Sequence, residues 1–178
     1  QIWKQTTENP NPDSVRKGWE LMAILSGLAQ PADALLEPLL DHLTAVGQST
    51  DVVGLLAKYI IKNLTTDHPQ RKFAPSVKEI TAISMGQAIP LTISFPIAET
   101  VIHITPHTTV AEATEIVIRE LGIQKSAGFG LVAGIMEGAE GPLEPDEIVC
   151  DVMAQWARTA NNKKIFARPD LLTLPLNK

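Results

Sequence analysis

The chain has 178 residues, 44% of them hydrophobic and 20% charged, with a formal net charge of −5. That balance reads as one or two globular domains rather than a disordered tract, and the acidic excess argues against a general nucleic-acid binder, which shows a basic face. The single cysteine, Cys150, excludes an internal disulfide and suits a reducing, cytoplasmic compartment; no apolar run reaches the roughly 20 residues a membrane-spanning helix needs, and Gln1-Ile2-Trp3-Lys4-Gln5 lacks a signal-peptide layout.

Residues 1 to about 84 read as helices separated by proline turns. Asn9-Pro10-Asn11-Pro12-Asp13-Ser14 is a breaker, with Asp13 or Ser14 expected to cap the helix that follows. That helix carries Trp19, Met22, Ile24, Leu25 and Leu28 at three- and four-residue steps, and Gln30-Pro31 ends it. Leu35, Leu36, Leu39, Leu40, Leu43 and Val46 mark the next helix. A third starts near Ser49 to Asp51, with Val52, Val53, Leu55, Leu56, Tyr59, Ile60 and Leu64 as one wide apolar stripe. A polar loop runs from Thr65 to Ala74, and Pro75-Ser76 opens a short helix through Ile80 and Ile83.

From residue 88 the period changes to two. Ile89, Leu91, Ile93 and Phe95 alternate as a strand, Pro96 to Glu99 turns, and Val101 to Ile104 returns as the second arm of a hairpin. Thr108 or Thr109 caps a helix with Val110, Ala113, Val117 and Leu121 on one face, and Gly122 stops it. Phe129 to Ile135 reads as a strand and Glu137 to Glu144 as a Gly-rich acidic loop. Asp146 to Arg158 reads as a helix with Ile148, Val149, Val152 and Trp156 facing in, and Lys163 to Ala167 as a last strand. This order is that of a ubiquitin-like β-grasp lobe. The predicted fold class is therefore a helical bundle followed by an α+β lobe, with the boundary within Ser84 to Gln87.

Specific strings go further than periodicity. Ile2-Trp3-Lys4-Gln5-Thr6-Thr7-Glu8-Asn9-Pro10-Asn11-Pro12, with Arg16-Lys17-Gly18-Trp19, resembles the middle of myosin tail homology 4 domains. Trp19 to Leu25, continuing through Leu28-Ala29-Gln30-Pro31, is similar to the family's next helix and proline turn. Arg71-Lys72-Phe73-Ala74-Pro75-Ser76-Val77-Lys78-Glu79-Ile80 resembles its closing Arg-x-x-Pro-Pro-Ser-x-x-Glu-Ile segment. Ala74 stands in place of the first proline, and His68-Pro69-Gln70 in place of the usual glycine. Gly128-Phe129-Gly130-Leu131, Asp146-Glu147 and Asp151 to Trp156 are similar to the first lobe of a FERM module. The resemblance implies residues 1–86 as the C-terminal part of the tail homology domain, 87–170 as the first FERM lobe, and 171–178 as the start of a linker to a second lobe. Such pairs occur in unconventional myosin tails, in plant-type calmodulin-binding kinesins and in motorless scaffolds.

No constellation of residues points to covalent chemistry, a cofactor or a metal. His103 and His107 flank Pro106 without metal-site spacing, His42 and His68 stand apart, and Cys150 has no histidine near it in sequence. Gly128-x-Gly130-x-x-x-Gly134 is one residue too long for a dinucleotide fingerprint and opens a strand. The acidic residues Glu137, Glu140, Glu144, Asp146 and Glu147 lack calcium-loop spacing and suit a solvated loop before a helix start. Trp3, Trp19 and Trp156 read as core anchors.

The positive residues are the remaining site candidates. Lys58 and Lys62 share a helix face, and Arg71, Lys72 and Lys78 follow. Together they are read as a basic interaction patch for an acidic partner such as a microtubule surface. Residues 1–84 hold eight Lys plus Arg against nine Asp plus Glu, so any such patch is local. Lys163, Lys164 and Arg168 read as exposed charges or as edge protection on the last strand. The resemblance implies a non-catalytic, cytoskeleton-associated tail module of a myosin or kinesin that binds cargo, adaptors, filaments or its own motor head, or else a motorless scaffold.

Overall fold

The computed structural model describes residues 1–7, 9–95, 98–122, 129–134, 140–158 and 164–168. They fall into two compact units, Gln1–Ala88 and Ile89–Lys178.

The first unit holds five helices: α1 Ile2–Thr6, α2 Pro12–Ser26, α3 Asp33–Val46, α4 Val52–Thr65 and α5 Val77–Ser84. Asn11, rather than Asp13 or Ser14, caps α2, its side chain accepting from the amides of both at 3.0 and 3.2 Å. Pro12 explains the shift. It has no amide to satisfy and its φ is already helical, so the helix starts at the proline and the residue before it becomes the cap. Asp51 caps α4, accepting from the Gly54 amide at 2.8 Å. Gly54 itself is required by space: a Cβ there would lie 2.1 Å from the Ser49 carbonyl oxygen.

The core of this unit is built from Trp19, Met22, Ala23, Leu43, Leu56, Ala57, Ile60, Leu64 and Ile83. It collects the inner faces of α2 and α4, with one turn each from α3 and α5. His42 of α3 lies between two indoles, stacked on Trp19 (centroids 5.8 Å apart) and tilted against Trp3 (5.6 Å), so three helices meet at one aromatic contact. A buried polar link joins α2 to α4: Asn63 Nδ2 donates to Ser26 Oγ at 3.0 Å, and Ser26 Oγ donates to the Ala23 carbonyl at 2.8 Å. The apolar stripes read from sequence are wider than the buried faces. Leu35, Val52 and Leu55, all expected inside, are exposed.

The second unit contains β1 Ile89–Ser94, β2 Glu99–Ile104, α6 Val110–Glu120, β3 Gly130–Gly134, β4 Glu140–Pro142, α7 Val149–Arg158 and β5 Lys164–Arg168. The sheet order is β2-β1-β5-β3-β4. β1 and β2 pair antiparallel, from Ile89 opposite Ile104 to Ser94 opposite Glu99. β1 and β5 pair in parallel at the centre, Ile93 opposite Ile165. This is the β-grasp arrangement expected. Ile89, Leu91, Ile93, Ile102 and Ile104 are buried on the inner face of the hairpin, and Val110, Ala113 and Val117 of α6 and Val149 and Val152 of α7 are buried as well. Thr109 caps α6 with a full capping box to Glu112.

Three expectations are corrected here. A short strand, β4, occupies 140–142 where a loop was expected, pairing with β3. α7 begins at Val149, not Asp146, because the preceding carbonyls serve α6: Pro145 and Glu147 accept from the Ala111 and Val110 amides at 2.9 and 2.8 Å. Leu121 is the exposed C-cap of α6 rather than part of its inner face. The expected turn residues Pro96 and Ile97, the strand end at Ile135, Lys163, and the linker start at 171–178 lie outside the described residues.

Gly54→Ala is expected to lower the stability of the chain by more than about 2 kcal/mol, because backbone must move to admit the methyl group. Gly141→Ala, where nothing lies within 4 Å of the new atom, is expected to change it by less than about 0.5 kcal/mol. Denaturant midpoints followed by circular dichroism check both; equal midpoints for the two variants contradict the packing argument.

Candidate interaction surface

The five residues proposed from sequence as a basic patch separate into two kinds. Lys58 and Lys62 stand one turn apart on the outer side of α4, both exposed. Lys72 and Lys78 are exposed on the following loop and on α5. Arg71 is different. Its side chain is 1% exposed and its guanidinium forks onto Glu79, Nη1 donating to Oε1 at 2.5 Å and Nη2 to Oε2 at 3.3 Å. Nη2 also donates to the Phe73 carbonyl at 3.4 Å. Arg71 is thus no part of a solvent-facing patch, because its charge is neutralised inside the fold.

The cause lies in α5. Glu79 is the third residue of that helix, and its carboxylate closes a capping box with Ser76: the Ser76 amide donates to Glu79 Oε2 and the Glu79 amide to Ser76 Oγ, each at 3.3 Å. This geometry turns Glu79 inward, where an unpaired carboxylate would be costly. Arg71, eight residues earlier, supplies the matching charge and two donors in a bidentate geometry. The signal was present in the string Arg71 to Glu79, but sequence spacing alone does not say which cation turns inward. His68 Nε2 lies 2.8 Å from the Asn63 carbonyl, so the loop between α4 and α5 is tied at both ends.

Other charged candidates also resolve into local structure. Lys164 donates to Glu99 Oε1 at 3.0 Å, across the β-grasp sheet, and Ser94 Oγ donates to the same oxygen at 3.0 Å. The Lys164 hydrogen bond, followed by that of Ser94, holds the Glu99 carboxyl below the usual carboxylate range. Asp51 is held low by the Gly54 amide first and then by Ser49. Both lowered carboxyls contribute stability that is present above their ordinary range and lost as pH falls through their folded values. Glu147 accepts from the Glu144 amide at 3.1 Å, closing the turn before α7. Glu137, Lys163 and the side chains of Glu140 and Arg168 lie outside the described residues. His103 is exposed on β2. His107 is buried, unlike the partly exposed position expected. Cys150 is buried, its Sγ 3.8 Å from the Thr105 carbonyl. Among the described residues, no three His, Cys, Asp or Glu side chains gather as a metal set, and no helix is long and apolar enough to cross a membrane.

The family model described as the MyTH4 domain matches residues 1–82, and that described as an RA like domain matches residues 98–170. The chain is 29% identical to the myosin-I heavy chain of Dictyostelium discoideum, over 93% of this chain and 8% of that protein. It is 28% identical to human pleckstrin homology domain-containing family H member 3, over 90% of this chain and 21% of that protein. Its fold is similar to the MyTH4-FERM MF1 domain of Dictyostelium discoideum myosin VII, with a TM-score of 0.83 at 24% identity, over 99% of this chain and 38% of that one. It is also similar to the human myosin 7b C-terminal MyTH4-FERM domain solved in complex with the harmonin-a PDZ3 domain, with a TM-score of 0.76 at 21% identity, over 99% of this chain and 38% of that one. The chain thus spans a small fraction of the length of these relatives.

Arg71→Met, which leaves the Glu79 carboxylate buried without a countercharge, is expected to cost about 3–5 kcal/mol of stability, and the paired Arg71→Met/Glu79→Leu change much less. Lys58→Met and Lys62→Met are each expected to stay within about 0.5 kcal/mol of the parent. Denaturant unfolding of the four variants checks this; a single Arg71→Met change as mild as the lysine changes contradicts the structural role of Arg71.

Proposed function

We propose that this chain, which carries a MyTH4 domain over residues 1–82 and an RA like domain over residues 98–170 and is similar to myosin tails, is a non-catalytic tail module that docks other proteins. The observation that carries the reading is the tandem itself: a helical domain and an RA-like lobe in the order and spacing of a myosin tail, matched over 93% of the chain. We assign 1–86 to the C-terminal part of the MyTH4 domain, 87–170 to the first FERM lobe and 171–178 to the start of a linker. The module works by surface complementarity, in which a few desolvated apolar anchors supply most of the affinity and charges at the rim set partner and on-rate.

The myosin 7b structure holds a PDZ domain as partner; for this chain we propose cargo or adaptor proteins as the corresponding class, and a cytoskeleton-associated, cytoplasmic setting. A second contact, with the acidic surface of a filament such as a microtubule, would run through Lys58, Lys62, Lys72 and Lys78. Myosin heavy-chain relatives favour a myosin over a kinesin as the parent protein. The relative named for its pleckstrin homology domain supports a motorless scaffold as the second reading. A phosphate-loop peptide, Gly-x-x-x-x-Gly-Lys-Ser/Thr, in the same native polypeptide would decide for the motor.

Microtubule co-sedimentation tests the filament contact. Reversing Lys58, Lys62, Lys72 and Lys78 together to Glu is expected to weaken binding at least about tenfold, since exposed charge pairs contribute roughly 0.5 kcal/mol each. Binding by the parent chain is expected to fall as salt rises. Binding that is unchanged by the four reversals, in a chain with an unaltered circular dichroism spectrum, overturns the basic-patch reading.

A further inference from the structure

We propose that the outer stripe of α4 is a docking site for an acidic amphipathic helix of a partner protein, with Val52 and Leu55 as apolar anchors and Lys58 and Lys62 as the charged end. The proposal rests on the basic-patch reading and gives it a partner of defined chemistry.

Five observations support it. Val52, Leu55, Lys58 and Lys62 follow one another at steps of three, three and four, so they form one continuous stripe, about 15 Å long, which begins beside the buried row of Leu56, Ile60 and Leu64 and runs away from it to Lys58 and Lys62. Val52 and Leu55 are 40% and 43% exposed, large aliphatics left facing solvent at the start of the stripe. Met85, 55% exposed, extends the apolar end: the next residue, Gly86, lies so close that a Cβ there would come 3.2 Å from Leu55 Cβ. Lys58 and Lys62 form no ion pair with a described residue, whereas Arg16 pairs with Glu20 and Lys164 with Glu99. Finally, Val52–Thr65 contains no acidic residue, so a carboxylate approaching Lys58 and Lys62 meets no like charge within the helix, whose Asp51 cap lies at the other, apolar end.

This pattern has a complement. A filament's flexible acidic tail would satisfy the lysines and leave Val52, Leu55 and Met85 in water. A helix with two aliphatics one turn apart, followed within two turns by Asp or Glu, covers both ends at once. The Leu55 end is pre-organised, since Gly86 sits at φ +65 in the left-handed region and backs Leu55 with main chain rather than with a mobile side chain.

The test is selection from a displayed library of random peptides, about 16 residues long to allow a helix, against the intact chain. Enriched peptides are expected to carry the aliphatic pair and the following carboxylates. They are expected to lose about tenfold or more in affinity on both Leu55→Ser and Lys58→Glu/Lys62→Glu, worth 1.4 kcal/mol or more each. Val52→Ser serves as a second apolar variant, and circular dichroism of each variant shows that the fold is kept. Polyglutamate is the charge-only probe. If it binds the parent and Leu55→Ser chains alike, fails on Lys58→Glu/Lys62→Glu, and no enriched peptide depends on Leu55 or Val52, the helix-docking inference is overturned while the basic patch stands. If neither polyglutamate nor any enriched peptide responds to the lysine reversals, both are overturned.

Discussion

The Arg71–Glu79 pair is the interaction on which the end of the helical unit depends. The loop between α4 and α5 is polar and contributes nothing to the fully buried apolar core. What holds it is a bidentate ion pair and a capping box that meet at the Glu79 carboxylate, together with the bond that Arg71 donates to the Phe73 carbonyl. Such a pair gains little over an apolar replacement of the same shape, but losing one partner strands a charge in a low-dielectric interior. Its consequence is placement rather than raw stability. With the pair formed, α5 starts at Val77, Ile83 reaches the core beside Trp19 and Leu56, and Gly86 crosses Leu55.

This placement also sorts the cations by role. A guanidinium suits a buried carboxylate because its planar fork supplies two parallel donors, whereas an ammonium is a strongly hydrated point charge. Arg71 is accordingly inside, and Lys58, Lys62, Lys72 and Lys78 are outside. In the β-grasp lobe the cation Lys164 is likewise paired, here with Glu99 on β2, two strands away across β1. Among the described residues, Lys58 and Lys62 of α4 are two of the exposed cations that form no ion pair.

Much of the architecture was legible in the sequence because it is locally encoded. Ser76-x-x-Glu79 and Thr109-x-x-Glu112 are capping boxes that fix helix starts within one residue, and the period-two run Ile89-Leu91-Ile93 fixes which side of β1 faces in. The alternation of elements sufficed for the β-grasp order, and the Ile2 to Trp19 and Arg71 to Ile80 strings, taken together, for the family resemblance. What failed to show was set by contacts between elements. Leu35, Val52 and Leu55 continue apolar stripes that periodicity cannot distinguish from buried ones. The start of α7 moved because its preceding carbonyls bond to α6. The three-residue β4 is too short to carry a period. Arg71 was grouped with the lysines because formal charge is visible in a sequence, whereas the inward turn of Glu79 is visible only once α5 packs.

The central claim is that binding charge resides in the α4 lysines while the arginine belongs to the fold. One measurement tests it most directly: affinity for an acidic surface, polyglutamate or microtubules, in two charge-altered chains compared side by side. Arg71→Met/Glu79→Leu, which removes the buried pair with no change in net charge, is expected to bind like the parent. Lys58→Met/Lys62→Met, which leaves the pair intact, is expected to lose most of the binding. The opposite ranking, with the buried-pair variant folded yet unable to bind and the lysine variant unaffected, would contradict the account.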